Sequence, residues 1–209
     1  MNLTQKGQII YDLLSLRYIN PTTALIYKTP WQLLVAVILS AQCTDVLVNK
    51  VTKDFFIKYP SFQEILISDI ESIKNDLKMV NYYNTKALNI YKTARLISER
   101  NGEVPLQMDE LLLLHGVGRK VANVVINELS PNPQGIVVDT HVKRLSMRLG
   151  LTTNVDPFKI EKDLMGLIDK SKWSKFSHLL ILHGRSICKA RKPICEQCPL
   201  IEICPSANL

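Results

Sequence analysis

Four of the five cysteines crowd into one stretch, Cys188, Cys195, Cys198 and Cys204, with the spacing C-x6-C-x2-C-x5-C. Clustered thiols of this kind suit metal ligation rather than disulfides. Structural zinc usually takes two short knuckles, whereas here one CxxC lies between two longer gaps in a 17-residue wrap. A loop around a bulkier iron-sulfur cluster fits that spacing better, with zinc left open on spacing alone. A second stretch, Leu111 to Asn127, runs from leucines through Gly116-Val117-Gly118 into an apolar helical period that begins with Arg119 and Lys120. Two glycines around one apolar residue allow tight packing and aim bare N–H groups from a helix N-terminus, which binds an anion. Alone, a GxG is more often an ordinary helix-to-helix turn. In a third stretch, VVDTHVKR, Asp139 stands where a helix N-cap belongs. The alternative for its carboxylate is to face Lys120 across a cleft.

Such groups need a folded scaffold. The 209 residues can form one large domain or two small ones. With 46% hydrophobic and 22% charged residues, and only eight glycines and ten prolines, disordered and collagen-like classes are excluded. The longest uninterrupted aliphatic run, Leu33 to Leu39, is far short of the roughly 20 residues a membrane span needs. The first residues show no apolar signal-peptide core. The expectation is a soluble intracellular protein with no membrane partner. Of the net charge of +7, +6 falls after residue 117. That asymmetry points to an anionic partner, nucleic acid first, with a solvated basic face as the bland alternative.

Helical signals recur along the chain. Ile9, Ile10, Leu13, Leu14 and Leu16 form an apolar stripe, and Thr29-Pro30 starts a helix through Trp31, Leu34, Val37 and Ile38. Ser61-x-x-Glu64 and Ser68-x-x-Glu71 match capping boxes, and Asp156-Pro157 marks a further N-terminus. Period-two alternation is nearly absent; Ile136 to Val138 is the one β-like run, short enough to be a connector. The predicted fold is all-α. Ser130 to Gly135 is rich in turn formers and suits a domain junction. Cys43 reads as a small buried apolar residue, Trp31 and Trp173 as core, and His178 and His183 as packing groups.

Taken together, LHGVGRKVANVV, VDTH, LILHGR and the cysteine spacing resemble the endonuclease III family of helix-hairpin-helix DNA glycosylases. The likeness extends through LLVAVILSAQCTDVLVNK (33–50), NTKA (84–87) and NGEVP (101–105), so it covers nearly the whole chain. The resemblance implies two helical domains flanking a DNA-binding cleft: a six-helix domain over 23–134 containing the hairpin, and an iron-sulfur domain over 1–22 plus 135–209. It implies one [4Fe-4S] cluster held by Cys188, Cys195, Cys198 and Cys204. The implied activity is base excision repair by a bifunctional DNA N-glycosylase and abasic-site lyase acting on oxidised pyrimidines in duplex DNA. Lys120 would be the nucleophile, its amine displacing the base at C1′ and remaining as a Schiff base that promotes β-elimination, and Asp139 would assist.

The target base must leave the stack. By resemblance Gln42 fills the gap, as does the loop at Asn81 and Tyr82, where glycine and leucine are common in the family; a tyrosine there could stack. His115 and Val121 replace a frequent proline and threonine without touching the anion-binding N–H groups. Gly116, Val117, Gly118 and Arg119 are expected at the DNA backbone, His141 in the cleft, and Lys189, Arg191 and Lys192 on the duplex. The partner is double-stranded DNA with a damaged base or abasic site. The expected state is a monomer, since one flipped base needs one pocket, and the expected location cytoplasmic and nucleoid-associated. A mismatch or adenine glycosylase of the same superfamily is the alternative, but such relatives generally lack the hairpin lysine. A non-catalytic iron-sulfur DNA-binding protein would need no Lys120 with Asp139.

Overall fold

The computed structural model describes residues 1–207, and every regular element among them is helical. The α-helices are α1 (Leu3–Arg17), α2 (Pro30–Ser40), α3 (Asp45–Lys58), α4 (Phe62–Leu66), α5 (Ile70–Asp76), α6 (Tyr83–Glu99), α7 (Met108–Leu111), α8 (Arg119–Leu129), α9 (Thr140–Arg148), α10 (Pro157–Leu167) and α11 (Trp173–Ser186). The Ile136 to Val138 run is a connector without strand pairing. The chain divides into two compact units, residues 24–130 and residues 1–23 with 131 onward, the later break falling at the Ser130 turn run. No described helix is long and apolar enough to cross a membrane.

In the 24–130 unit, α2 is the central helix. Thr29 caps it by accepting from the Gln32 N–H at 3.2 Å, Pro30 pre-sets the first turn, and every residue from Trp31 to Leu39 is buried. A helix apolar all round needs neighbours all round, and α3, α6 and α8 pack on it. Seven helices occupy this unit rather than six, the extra one being the single turn Met108–Leu111 that leads into the hairpin. The Ser61–Glu64 capping box forms on α4. The second expected box does not: Asp69 caps α5, accepting from the Ser72 N–H at 3.1 Å, while Ser68 Oγ turns back to Glu64 O at 2.6 Å. Aspartate caps as well as serine, so the helix starts one residue later.

In the other unit, α1, α9, α10 and α11 enclose a second core that includes Ile10, Leu14, Val142, Leu145, Leu164 and Phe176. Asn2 and Gln5 form a reciprocal capping box on α1, and Asp156 caps α10 through the Lys159 N–H at 3.0 Å. The α1 stripe is narrower than expected: Ile10 and Leu14 are fully buried, while Leu16 is 80% exposed. Successive helix positions diverge by about 100°, so five of eight adjacent residues cannot share one face. Trp173 is core, its indole N–H donating to Ile168 O at 2.8 Å.

Candidate functional site

The hairpin joins α7 to α8. Gly116 lies at φ +77°, and a Cβ there would meet the Asn89 side chain of α6 at 2.9 Å, so both conformation and space require glycine. Val117 is buried and its N–H bonds Leu114 O at 3.3 Å, because an apolar side chain between the glycines finds the core. Gly118 is the N-cap of α8, and no side chain caps the first turn. A Cβ at Gly118 would meet nothing within 4 Å, so the approach to that helix end is open. This is the geometry that holds a phosphate. Lys120, in the first turn, is exposed, and its amine has no hydrogen-bond or ion-pair partner among the described residues.

Two non-glycine residues of the same unit, Gln42 and Tyr82, hold left-handed backbone at φ +55° and +59°. Asn20 and Asn101 do so too, but asparagine tolerates that region, whereas for the other two it costs about 1–3 kcal/mol each and persists where surroundings enforce it. Both side chains are exposed, Tyr82 at 64%. Asn81 Nδ2 donates to Gln42 O at 2.7 Å. Lys86, one turn into α6, is buried and donates to Leu39 O and Ala41 O at 2.9 and 2.6 Å. Cys43 is half-buried rather than buried, with the Lys86 amine 3.5 Å from its sulfur. Lys86 escaped the sequence reading except as part of NTKA; a lysine four residues before Ile90 on the apolar stripe of α6 was the available signal.

In the other unit Asp139 is the N-cap of α9, its Oδ1 accepting from the Val142 N–H at 2.8 Å. His141 is half-buried and its ring packs against Gly184 of α11, where a Cβ would lie 2.9 Å from Nδ1. Burial holds the His141 pKa below the usual histidine value, against the opposing pull of Asp139. Arg144 and Arg148 then reach the cysteine loop: Arg144 Nη2 donates to Gly184 O and Cys188 O at 2.9 Å each, and Arg148 donates to Lys189 O and Ala190 O at 2.8 Å.

The loop wraps one cavity of about 380 Å³ lined by all four thiols. Among the described residues no three histidine, cysteine or carboxylate groups gather as a site for a single metal ion; the thiols stand around a space instead of meeting at a point. Burial, then the proximity of Cys188, Cys204 and Cys195, raises the Cys198 pKa, with the Leu200 backbone N–H opposing. A multivalent cationic core among the thiols would favour the thiolate form that burial opposes at Cys198. His183, expected only to pack, is buried with Nδ1 3.1 Å from Tyr18 Oη and Nε2 3.3 Å from Cys198 Sγ. Lys189, Arg191 and Lys192 are exposed on the same loop.

An anion-binding hairpin and a four-thiol loop on an all-helical scaffold define a class. The chain belongs to the HhH-GPD superfamily of base excision DNA repair proteins, whose family model matches residues 35–170. The iron-sulfur binding domain of endonuclease III matches residues 188–204, bounded by Cys188 and Cys204, and the loop carries one [4Fe-4S] cluster. The chain is 48% identical to Endonuclease III of Synechocystis over 98% of this chain and 94% of that protein. It is 41% identical to Endonuclease III of Escherichia coli strain K12 over 88% of each. Its fold matches, with TM-score 0.93 and 41% identity over 99% of this chain and 98% of the other, the structure of a trapped Endonuclease III–DNA covalent intermediate. The protein is a DNA glycosylase and abasic-site lyase of base excision repair, and its partner is DNA.

Proposed function

We propose that Lys120 is the nucleophile, Asp139 its assistant, and an oxidised pyrimidine in duplex DNA the target. The observation that carries this is the uncommitted Lys120 amine in the first turn after an open, glycine-capped helix end. A phosphate held on that helix end brings the neighbouring sugar within reach of the amine. The amine bonds to C1′ as the C1′–base bond breaks, the sugar ring opens to a Schiff base, and loss of a C2′ proton expels the 3′ phosphate. Asp139 supplies negative charge beside the sugar, or takes the amine proton, in the same step. The similar structure of Endonuclease III captured as a covalent intermediate with DNA supports the covalent route. Borohydride added to the protein on abasic-site DNA is expected to yield a stable protein–DNA adduct, and no adduct would refute the route.

Gln42 and Tyr82 fill the space a flipped base leaves, and their strained, exposed backbone supports that role. The four cysteines hold the cluster, whose contribution is order in a segment with little apolar surface of its own. The enzyme acts as a monomer on damaged or abasic duplex, inside the cell at the nucleoid.

Asp139→Asn keeps the Val142 cap, since asparagine caps as well, and removes the charge. Single-turnover excision of a base lesion is expected to fall by about 100-fold; an unchanged rate would leave Asp139 a cap only. Replacing Arg191 and Lys192 together by alanine is expected to weaken binding to damaged and undamaged duplex alike, since phosphate contacts position without reading sequence. The log-log salt slope should shrink by roughly 0.9 per lost contact, measured by titration at several salt concentrations, and an unchanged slope removes this loop from the interface.

A further inference from the structure

Lys86 is only 6% exposed, and the chemistry above makes no use of it. Its backbone N–H donates to Tyr82 O at 3.0 Å, closing the first turn of α6. Its Nζ crosses to the end of α2 and donates to Leu39 O and Ala41 O at 2.9 and 2.6 Å, beside Cys43 Sγ at 3.5 Å. The three ammonium protons thus have three acceptors. α2 has no basic residue in its own last turn, so Lys86 supplies the positive charge that a carbonyl end favours. One residue grips the base of both strained tips. Asn81 links the tips themselves, its Nδ2 donating to Gln42 O at 2.7 Å.

Neither glutamine nor tyrosine takes left-handed backbone without surroundings that enforce it. Lys86 and Asn81 both reach the backbone of these two tips with their side chains. We propose that Lys86 and Asn81 are positioning residues that brace Gln42 and Tyr82 into a single preformed wedge. The inference rests on the gap-filling reading of Gln42 and Tyr82. Ordering two loops during base extrusion would add a cost to that step, and a wedge already in shape avoids it. The brace therefore matters most where a paired, stacked base must be displaced, and little where no base remains.

The test compares single-turnover rates on two duplexes, one with a thymine glycol opposite adenine and one with a preformed abasic site opposite adenine. The variants are Asn81→Ala, Lys86→Met and, as the control on the wedge itself, Gln42→Gly. Thermal unfolding of each variant accompanies the rates. All three are expected to lose roughly tenfold on the paired lesion, the factor that one charged or two neutral hydrogen bonds command. On abasic DNA the loss for Asn81→Ala and Lys86→Met should stay within about twofold, because no base remains to be displaced there, whereas a general structural defect would slow both reactions together. Asn81 is exposed, so its variant reports even if Lys86→Met folds poorly. Equal losses on both duplexes for Asn81→Ala, or no loss on the paired lesion, overturn the brace. If Gln42→Gly alone is slow on the paired lesion, the brace falls and the wedge stands. If Gln42→Gly matches the wild-type rate, the gap-filling reading falls and takes the brace with it.

Discussion

Lys120→Ala abolishes borohydride-trapped adducts and strand nicking on abasic DNA, with a fall of about three orders of magnitude or more once spontaneous cleavage is subtracted. The expectation follows from what the substitution removes and what it leaves. It removes the one amine that stands free in the first turn of α8. It leaves the open approach at Gly118 and the helix N-terminus behind it, so duplex binding should stay within about threefold of wild type. It does not threaten the fold, because Lys120 is exposed and alanine favours a helix. Adduct yield, nicking and a binding titration on one preparation separate the outcomes. Retained nicking would sink the Schiff-base assignment, and lost binding would make Lys120 a phosphate contact.

Cys198→Ala yields a colourless protein. The wild type should purify brown, with sulfide-to-iron charge-transfer absorption and roughly one iron per cysteine ligand. Cys198 lines the cavity with the other three thiols, and its sulfur also meets His183 Nε2 at 3.3 Å, so its loss removes a ligand and an anchor together. The segment from Lys189 to Ile203 has two short 3-10 turns and buries a single apolar side chain, Leu200, in the core. Ligation must therefore supply most of its order. Loss of a metal site belongs to the large class of effects, about 4 kcal/mol, which lowers the unfolding midpoint by about 10 °C for a chain of this size. Iron and sulfide analysis with thermal unfolding checks both parts. A wild-type protein with one zinc and no sulfide, or a variant that keeps its colour, contradicts the assignment of Cys198.

What could be read from sequence follows the range of the interaction concerned. Thr29 with Pro30 and Asp156 with Pro157 announce helix starts because a cap acts on its own next three residues. The same locality explains the miss at Ser68, where Asp69 competes for the cap and wins. The hairpin and the cysteine loop were legible because each is a contiguous motif, and the Asp139 cap because it acts on its own next three residues. Lys86 was not, since its acceptors lie 47 and 45 residues away in sequence and no local pattern connects them. His183 was read as packing from its apolar helix; only the fold brings its ring to Cys198. Val117 shows the converse, a motif residue whose side chain and N–H the core claims.

The grouping of residues 1–23 with residues beyond 130 sets an order on how the chain is made. Translation runs from the N-terminus at about 5–20 residues per second. Residues 24–130 are continuous, so that core can close as soon as it leaves the ribosome. Ile10 and Leu14 emerge earlier but are covered by α10 and α11, which are synthesised only after residues 24–130. During that interval the Ile10 and Leu14 stripe of α1 is without its partners, exposed to chaperones and to neighbouring nascent chains. The cysteine loop follows later still, so a polysome holds protein with a finished hairpin and no place to receive iron. Delivery of the cluster is thereby confined to chains synthesised past Cys204, and a product truncated before that residue would carry the anion-binding turn without the loop that holds the cluster.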